Sequence, residues 1–202
     1  VRQATPAVAE ALGKIEAALL LGQEQLGEGL AAVDVPLGFP GSVVGDGAGG
    51  VWIGEMEGGR AVVVGPDGRM RLVGYANPAG AGDFVAGVAG SLPAMIAAPG
   101  GGLLVVDARG NVIRKLAADG TLTDVVGTGR AAQEAGGQAP LATALSQPWA
   151  IALGPDGALF IGEAPRPKET STGRILAAAP GGGPVAVLPT DGIADCISLA
   201  CE

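Results

Sequence analysis

Three carboxylates, Glu55, Asp107 and Glu163, each close a short apolar run of one design: Val51-Trp-Ile-Gly-Glu55, Leu103-Leu-Val-Val-Asp107 and Leu159-Phe-Ile-Gly-Glu163. Carboxylates brought together from equivalent positions make an oxygen-rich site of the kind that holds Ca²⁺ or Mg²⁺. At a strand end the same side chain has a second use, which is to accept backbone N–H bonds from the hairpin that follows. Capping is the role expected here, with Ca²⁺ as the alternative. The chain contains no histidine. That removes Ser-His-Asp and Cys-His catalysis, histidine general bases and every His-containing metal site. The two cysteines, Cys196 and Cys201, sit five residues apart near the C-terminus. They read either as a small disulfide loop or as two free thiols, and they are too few for a zinc site. Between Glu163 and Arg174 lies a polar, proline-stiffened insertion whose Arg166, Lys168 and Arg174 form the most basic stretch of the sequence. Loops on rigid scaffolds often carry binding, so these three are candidate partner-binding residues.

Composition limits the remaining possibilities. A chain of 202 residues can bury roughly 70% of its unfolded surface. Glycine (37) and proline (15) are abundant, yet 48% of residues are hydrophobic, which disordered chains are not. Together these describe many short strands joined by tight turns. Aromatics are only 3%, so small side chains must fill much of the core. The net charge of −8 repels phosphate backbones, and nucleic acid is not expected as a partner. No apolar stretch approaches the ~20 residues that span a bilayer. The sequence begins at Val1 with no initiator methionine, which reads as a processed or partial chain.

The strands need something to hold them, and the first part of the chain differs from the rest. Thr5-Pro6 is a helix-start signal. Val8, Leu12, Ile15, Leu19, Leu26, Leu30 and Val33 then recur at spacings of three, four or seven, as on one face of a helix. The spacing predicts a helix from Pro6 to about Leu21, within an N-terminal helical segment over residues 1–35. Its stripe, with Leu12 and Leu19 at the centre, either packs on its own domain or binds a partner. A C-terminal tail occupies residues 191–202.

Between these ends an internal repeat appears. Pro40, Pro93 and Pro148, at steps of 53 and 55 residues, each open a short apolar run, a Gly-rich turn and a second apolar run closing on a carboxylate. Two further strands follow in each unit: residues 60–64 and 69–73, 111–116 and 122–126, 173–178 and 185–188. Asp-Gly and Gly-Gly pairs between them supply the positive φ angles of tight hairpins. Four antiparallel strands, repeated three times, describe a mainly β fold of propeller-type blades at about 36–75, 92–128 and 147–189. The connections at 76–91 and 128–146 are long.

Residues 126–163 carry Val126-Gly-Thr-Gly-Arg130, Gly136-Gly-Gln-Ala-Pro-Leu-Ala-Thr-Ala-Leu145 and Gln147-Pro-Trp-Ala-Ile-Ala-Leu-Gly-Pro-Asp-Gly-Ala-Leu-Phe-Ile-Gly-Glu163. This stretch resembles the blade junction of NHL-repeat proteins, in the variant found in bacterial extracellular proteins and teneurin- and RHS-type surface proteins. In that family the strand ends on aspartate and an N-x-I-R stretch follows. Asp107 and Asn111-Val-Ile-Arg114 match it, while Glu55 and Glu163 depart by one methylene. The resemblance covers roughly residues 36–190 and implies fold rather than chemistry. It implies a secreted, cell-surface or virion-associated protein. Propeller hydrolases and lyases of the gluconolactonase and streptogramin-lyase kind share the fold. The lyases rely on histidine, and the lactonases on a carboxylate-and-amide metal set that Asn77 and Asn111, the only asparagines, do not reproduce in a recognised motif. The expectation is therefore a non-catalytic protein-interaction or scaffolding module with no cofactor. The alternative is a structural subunit or processed fragment of a large surface, toxin-shell or virion assembly, and third comes a metal-dependent hydrolase. Three blades leave a propeller of about six blades open. The expected partner is accordingly protein, through self-association or a larger assembly.

Overall fold

The computed structural model describes residues 29–46, 48–55, 61–76, 84–85, 93–117, 121–164 and 173–189. They form three antiparallel sheets, each a simple up-and-down meander in sequence order. The first contains β1 (Pro40–Gly45), β2 (Val51–Glu55), β3 (Ala61–Val64), β4 (Met70–Ala76) and a two-residue β5 (Phe84–Val85). The second contains β6 (Met95–Ala97), β7 (Leu103–Asp107), β8 (Val112–Leu116) and β9 (Leu122–Val126). The third contains β10 (Pro148–Leu153), β11 (Leu159–Glu163), β12 (Arg174–Ala178) and β13 (Val185–Leu188). The opening strands β1, β6 and β10 are the ones through which neighbouring sheets approach each other. The sheets therefore radiate from a shared centre, as propeller blades do. Four strands were expected in each blade, and the first has a fifth. No helix among the described residues is long and apolar enough to cross a membrane.

The pleat explains why the middle blade reads as an unbroken apolar run. Successive side chains of β7 point to opposite faces, and both faces are covered, so Leu103–Asp107 is buried throughout. Leu103 and Val105, with Met95 and Leu116, pack against Trp52, Ala61 and Val63 of blade one. Leu104, Val106, Ile113 and Val126 pack against Ile151, Leu159, Ile161, Leu176 and Val185 of blade three. Each such side chain contributes about 1.5–3 kcal/mol on burial. Mostly Val, Leu, Ile and Ala fill these layers, as the low aromatic content requires.

Blades one and three repeat in register. A shift of 108 residues carries Gly29 onto Gly137, Pro40 onto Pro148 and Glu55 onto Glu163. Hydrogen bonding repeats with it. Gly29 N–H donates to Met70 O and Met70 N–H to Leu30 O, at 2.8 and 2.9 Å. Gly137 N–H donates to Val185 O and Val185 N–H to Gln138 O, at 2.7 and 2.8 Å. In both blades the segment leading into the first strand thus crosses the outer edge of the fourth strand. This satisfies an edge that would otherwise be free to pair. A short 3₁₀ turn follows in each, Ala32–Asp34 and Pro140–Ala142. Residues 29–35 were expected to continue a helical segment. Backbone pairing to β4 makes them part of blade one instead, and Leu30 and Val33 of the apolar stripe lie there. The predicted helix at Pro6–Leu21, the tail 191–202 and most of the 76–91 connection lie outside the described residues.

The middle blade holds the same register with a different step. Val43, Met95 and Ile151 each pair with the residue ten positions on, Ile53, Val105 and Ile161. The spacing is therefore set by these positions and not by the prolines: β1 and β10 begin on Pro40 and Pro148, whereas β6 begins two residues after Pro93.

Candidate functional site

The three repeat-position carboxylates end β2, β7 and β11 and are all buried. They play different parts. Glu163 accepts the N–H of Ser146 at 2.7 Å through Oε1 and pairs with Arg174 Nε through Oε2 at 2.5 Å. Glu55 accepts the N–H of Gly38 at 2.8 Å. Gly38 and Ser146 are again 108 residues apart, each 17 residues before its glutamate. These glutamates tether the segment that leads into their own blade. Asp107 is shorter by one methylene and accepts the N–H of Gly110 at 2.7 Å, in the turn that follows β7. Its other oxygen, Oδ2, has no hydrogen-bond donor among the described residues and faces the Arg114 guanidinium at 3.5 Å. Arg114 Nε in turn meets Asp124 at 3.1 Å. Burial pushes the Asp107 carboxyl above its ordinary value of 3.8, and the Gly110 N–H and Arg114 oppose the shift.

Among the described residues, no three side chains of the His, Cys, Asp and Glu types gather into a group that could hold a metal ion. Each of the three carboxylates is engaged within its own blade.

Arg174 was grouped with Arg166 and Lys168 as a basic, partner-facing loop. The structure turns it inward. It opens β12 directly opposite Glu163, is buried, and also donates to the carbonyl of Glu134. A cation next to a buried carboxylate is held there by the low local dielectric. Arg166 and Lys168, like Leu12, Leu19, Cys196 and Cys201, lie outside the described residues.

The connection from blade two to blade three is ordered by Glu134 and Thr143, which the sequence did not single out, and by Asn111. The Glu134 carboxylate accepts Arg130 at 3.0 Å and the Ala144 N–H at 3.2 Å, and Thr143 Oγ1 donates to Ala139 O at 3.0 Å. Gln147 N–H donates to Asn111 Oδ1 at 3.2 Å, bridging the two blades. The available signal was Asn111 itself, since asparagine is enriched at positive φ.

Three radial antiparallel meanders, one of five strands and two of four, define the chain as β-propeller in class. No protein-family model and no curated protein matches it. Solved structures do. It is similar to a gluconolactonase from Xanthomonas campestris, at 15% identity over 76% of this chain and 48% of that one, with a TM-score of 0.56. A streptogramin B lyase matches at 18% identity over 78% of this chain and 43% of that one, with a TM-score of 0.52. A structural-genomics protein of unknown function from Bacteroides thetaiotaomicron matches at 14% identity over 79% and 37%, with a TM-score of 0.55. The chain spans about a third to a half of the length of these structures. At such identities the likeness shows the fold. It also corrects two expectations, those of a non-catalytic interaction or scaffolding module and of no enzyme. They leaned on the missing histidine, whereas the structures that share this fold include named enzymes.

Proposed function

We propose that this chain is part of a propeller hydrolase or lyase, with its reaction at the centre of a ring that three blades half complete. The observation that carries the reading is the fold match to a gluconolactonase and a streptogramin B lyase over more than three quarters of the chain. Without histidine, the acid–base groups on offer are carboxylates. Glu55, Asp107 and Glu163 are already engaged within their blades, so the reacting carboxylates come from elsewhere in the chain. A sugar lactone is the substrate class of choice. Water attacks the ring ester carbonyl, the C–O bond opens, and a hydroxy acid forms with release of a proton. The finer reading, that the blades are NHL-type repeats, is supported by the residue 126–163 pattern and by the 108-residue register. The test is acid release from gluconolactone by the purified chain at neutral pH, with and without added divalent cation. Turnover above the buffer rate is expected. A rate equal to buffer in both conditions, with the protein folded, overturns the reading.

A further inference from the structure

The face of blade one that points away from blade two has an internal reference. Under the 108-residue shift, its Leu37, Val43, Val51 and Ile53 correspond to Leu145, Ile151, Leu159 and Ile161. These are the residues by which blade three packs onto blade two. The equivalents differ in exposure: Leu145 is 0% and Ile151 3% exposed, but Leu37 is 39% and Val43 67%. Val51, at 36% exposed, lies on the same face. The opening runs along β1, β2 and the segment leading into β1, while Val62 and Met70 further out are buried. Internal joints are likewise made through the opening strands. Among the described residues, blade one therefore leaves uncovered the surface that in blade three packs onto a preceding blade.

The opposite end carries the complementary surface. Leu104 and Val106 of blade two, which receive blade three, correspond in register to Phe160 and Gly162. Across the sheet, Phe160 stands beside Ala152 and Ala177, and Gly162 beside Ile175, with Leu188 next in that row. No charged residue occupies either row, and Phe160, Ile175, Ala177 and Leu188 are each partly exposed. One chain thus has a receiving face at one end and an inserting face at the other.

We infer that a second copy of this chain occupies both faces, blade three of each copy packing on blade one of the other, so that two half-rings close into one propeller. Three blades match 37–48% of the propeller structures compared above, and two copies bring six blades together, within the four to eight of known propellers. A two-fold axis along the ring centre generates both joints from one pair of surfaces and leaves no open end, which a head-to-tail contact requires to form a closed particle rather than a filament. The inference rests on packing and not on the proposed activity, so it stands or falls separately from any assay on lactones.

Light scattering on the purified chain tests it. The expected mass is twice the 19.5 kDa of the chain, and Val43→Asp should return it to the single-chain value. A folded monomer at tens of micromolar, an open-ended series of larger species, or a dimer unaffected by Val43→Asp overturns the inference. If Val43→Asp does not fold, hydrogen exchange on the unaltered chain decides. Dilution should deprotect β1–β2 and β11–β12 together, and a change confined to other strands, or none, overturns it.

Discussion

Asn111 and Gln147 both hold positive φ angles, +51° and +49°, and the Gln147 N–H donates to Asn111 Oδ1 at 3.2 Å. One sits in the turn after β7, the other just before β10, so the bond joins blade two to blade three. Gly127 packs beside it. At φ +121°, a Cβ there would lie 2.6 Å from the Asn111 carbonyl oxygen. These two left-handed residues are therefore part of the joint between blades two and three.

Asn111 separates backbone from side-chain effects. Asn111→Gly keeps the positive φ and loses the acceptor, which should cost about 1 kcal/mol. Asn111→Ala loses both, and the left-handed conformation adds roughly another 1 kcal/mol. Denaturant unfolding should rank the native chain above Gly and Gly above Ala. An alanine variant as stable as the glycine variant would show that φ carries no strain here.

Glu163 and Arg174 make a buried pair in which each partner depends on the other. Arg174→Met should cost about 3–5 kcal/mol by leaving the Glu163 charge uncompensated. Combining it with Glu163→Leu should recover part of the loss. The tether to Ser146 N–H disappears in the double variant, so recovery is incomplete. A double-mutant cycle by denaturant melts checks this, and strictly additive effects would rule out the coupling.

Asp107 predicts a pH dependence with a definite sign. Its carboxyl is raised in the folded state by burial, so the folded chain holds the proton more tightly than the unfolded chain. The associated stability is present below the unfolded value of 3.8 and is lost as pH rises through the higher folded value. Compared with Asp107→Asn, which keeps an acceptor for Gly110 N–H, the native chain should be relatively most stable at acid pH and lose ground as pH rises, then level off. Melting curves of both proteins across that range provide the check. A relative stability that climbs with pH would reverse the assignment.

Leu145 and Leu37 occupy equivalent positions with unequal surroundings. Leu145→Ala opens a cavity in the joint between blades two and three, at about 2–5 kcal/mol. Leu37→Ala should cost clearly less in the separated chain, and its cost should grow with protein concentration if the open face is filled by a second copy. Thermal melts at two concentrations distinguish these cases.

The sequence alone determined the local architecture. Period-two apolar runs bounded by Gly-rich turns can only be satisfied as short antiparallel strands, and the recurrence of Val51–Glu55, Leu103–Asp107 and Leu159–Glu163 made blades of them. Hairpin pairing is local, so turn chemistry and pleat specify it without knowledge of the rest. What a strand-end carboxylate or a basic loop residue does depends on what lies across from it, and that is not local. One methylene separates Asp107 from Glu55 and Glu163, yet it selects a turn three residues ahead in place of a segment 17 residues behind. Arg174 read as solvent-facing because its sequence neighbours are polar. Only the register of β11 against β12, which places it opposite Glu163, brought it inside. The same holds for Leu37 and Leu145: one residue type at equivalent positions, exposed or buried according to whether a neighbouring blade is there to cover it.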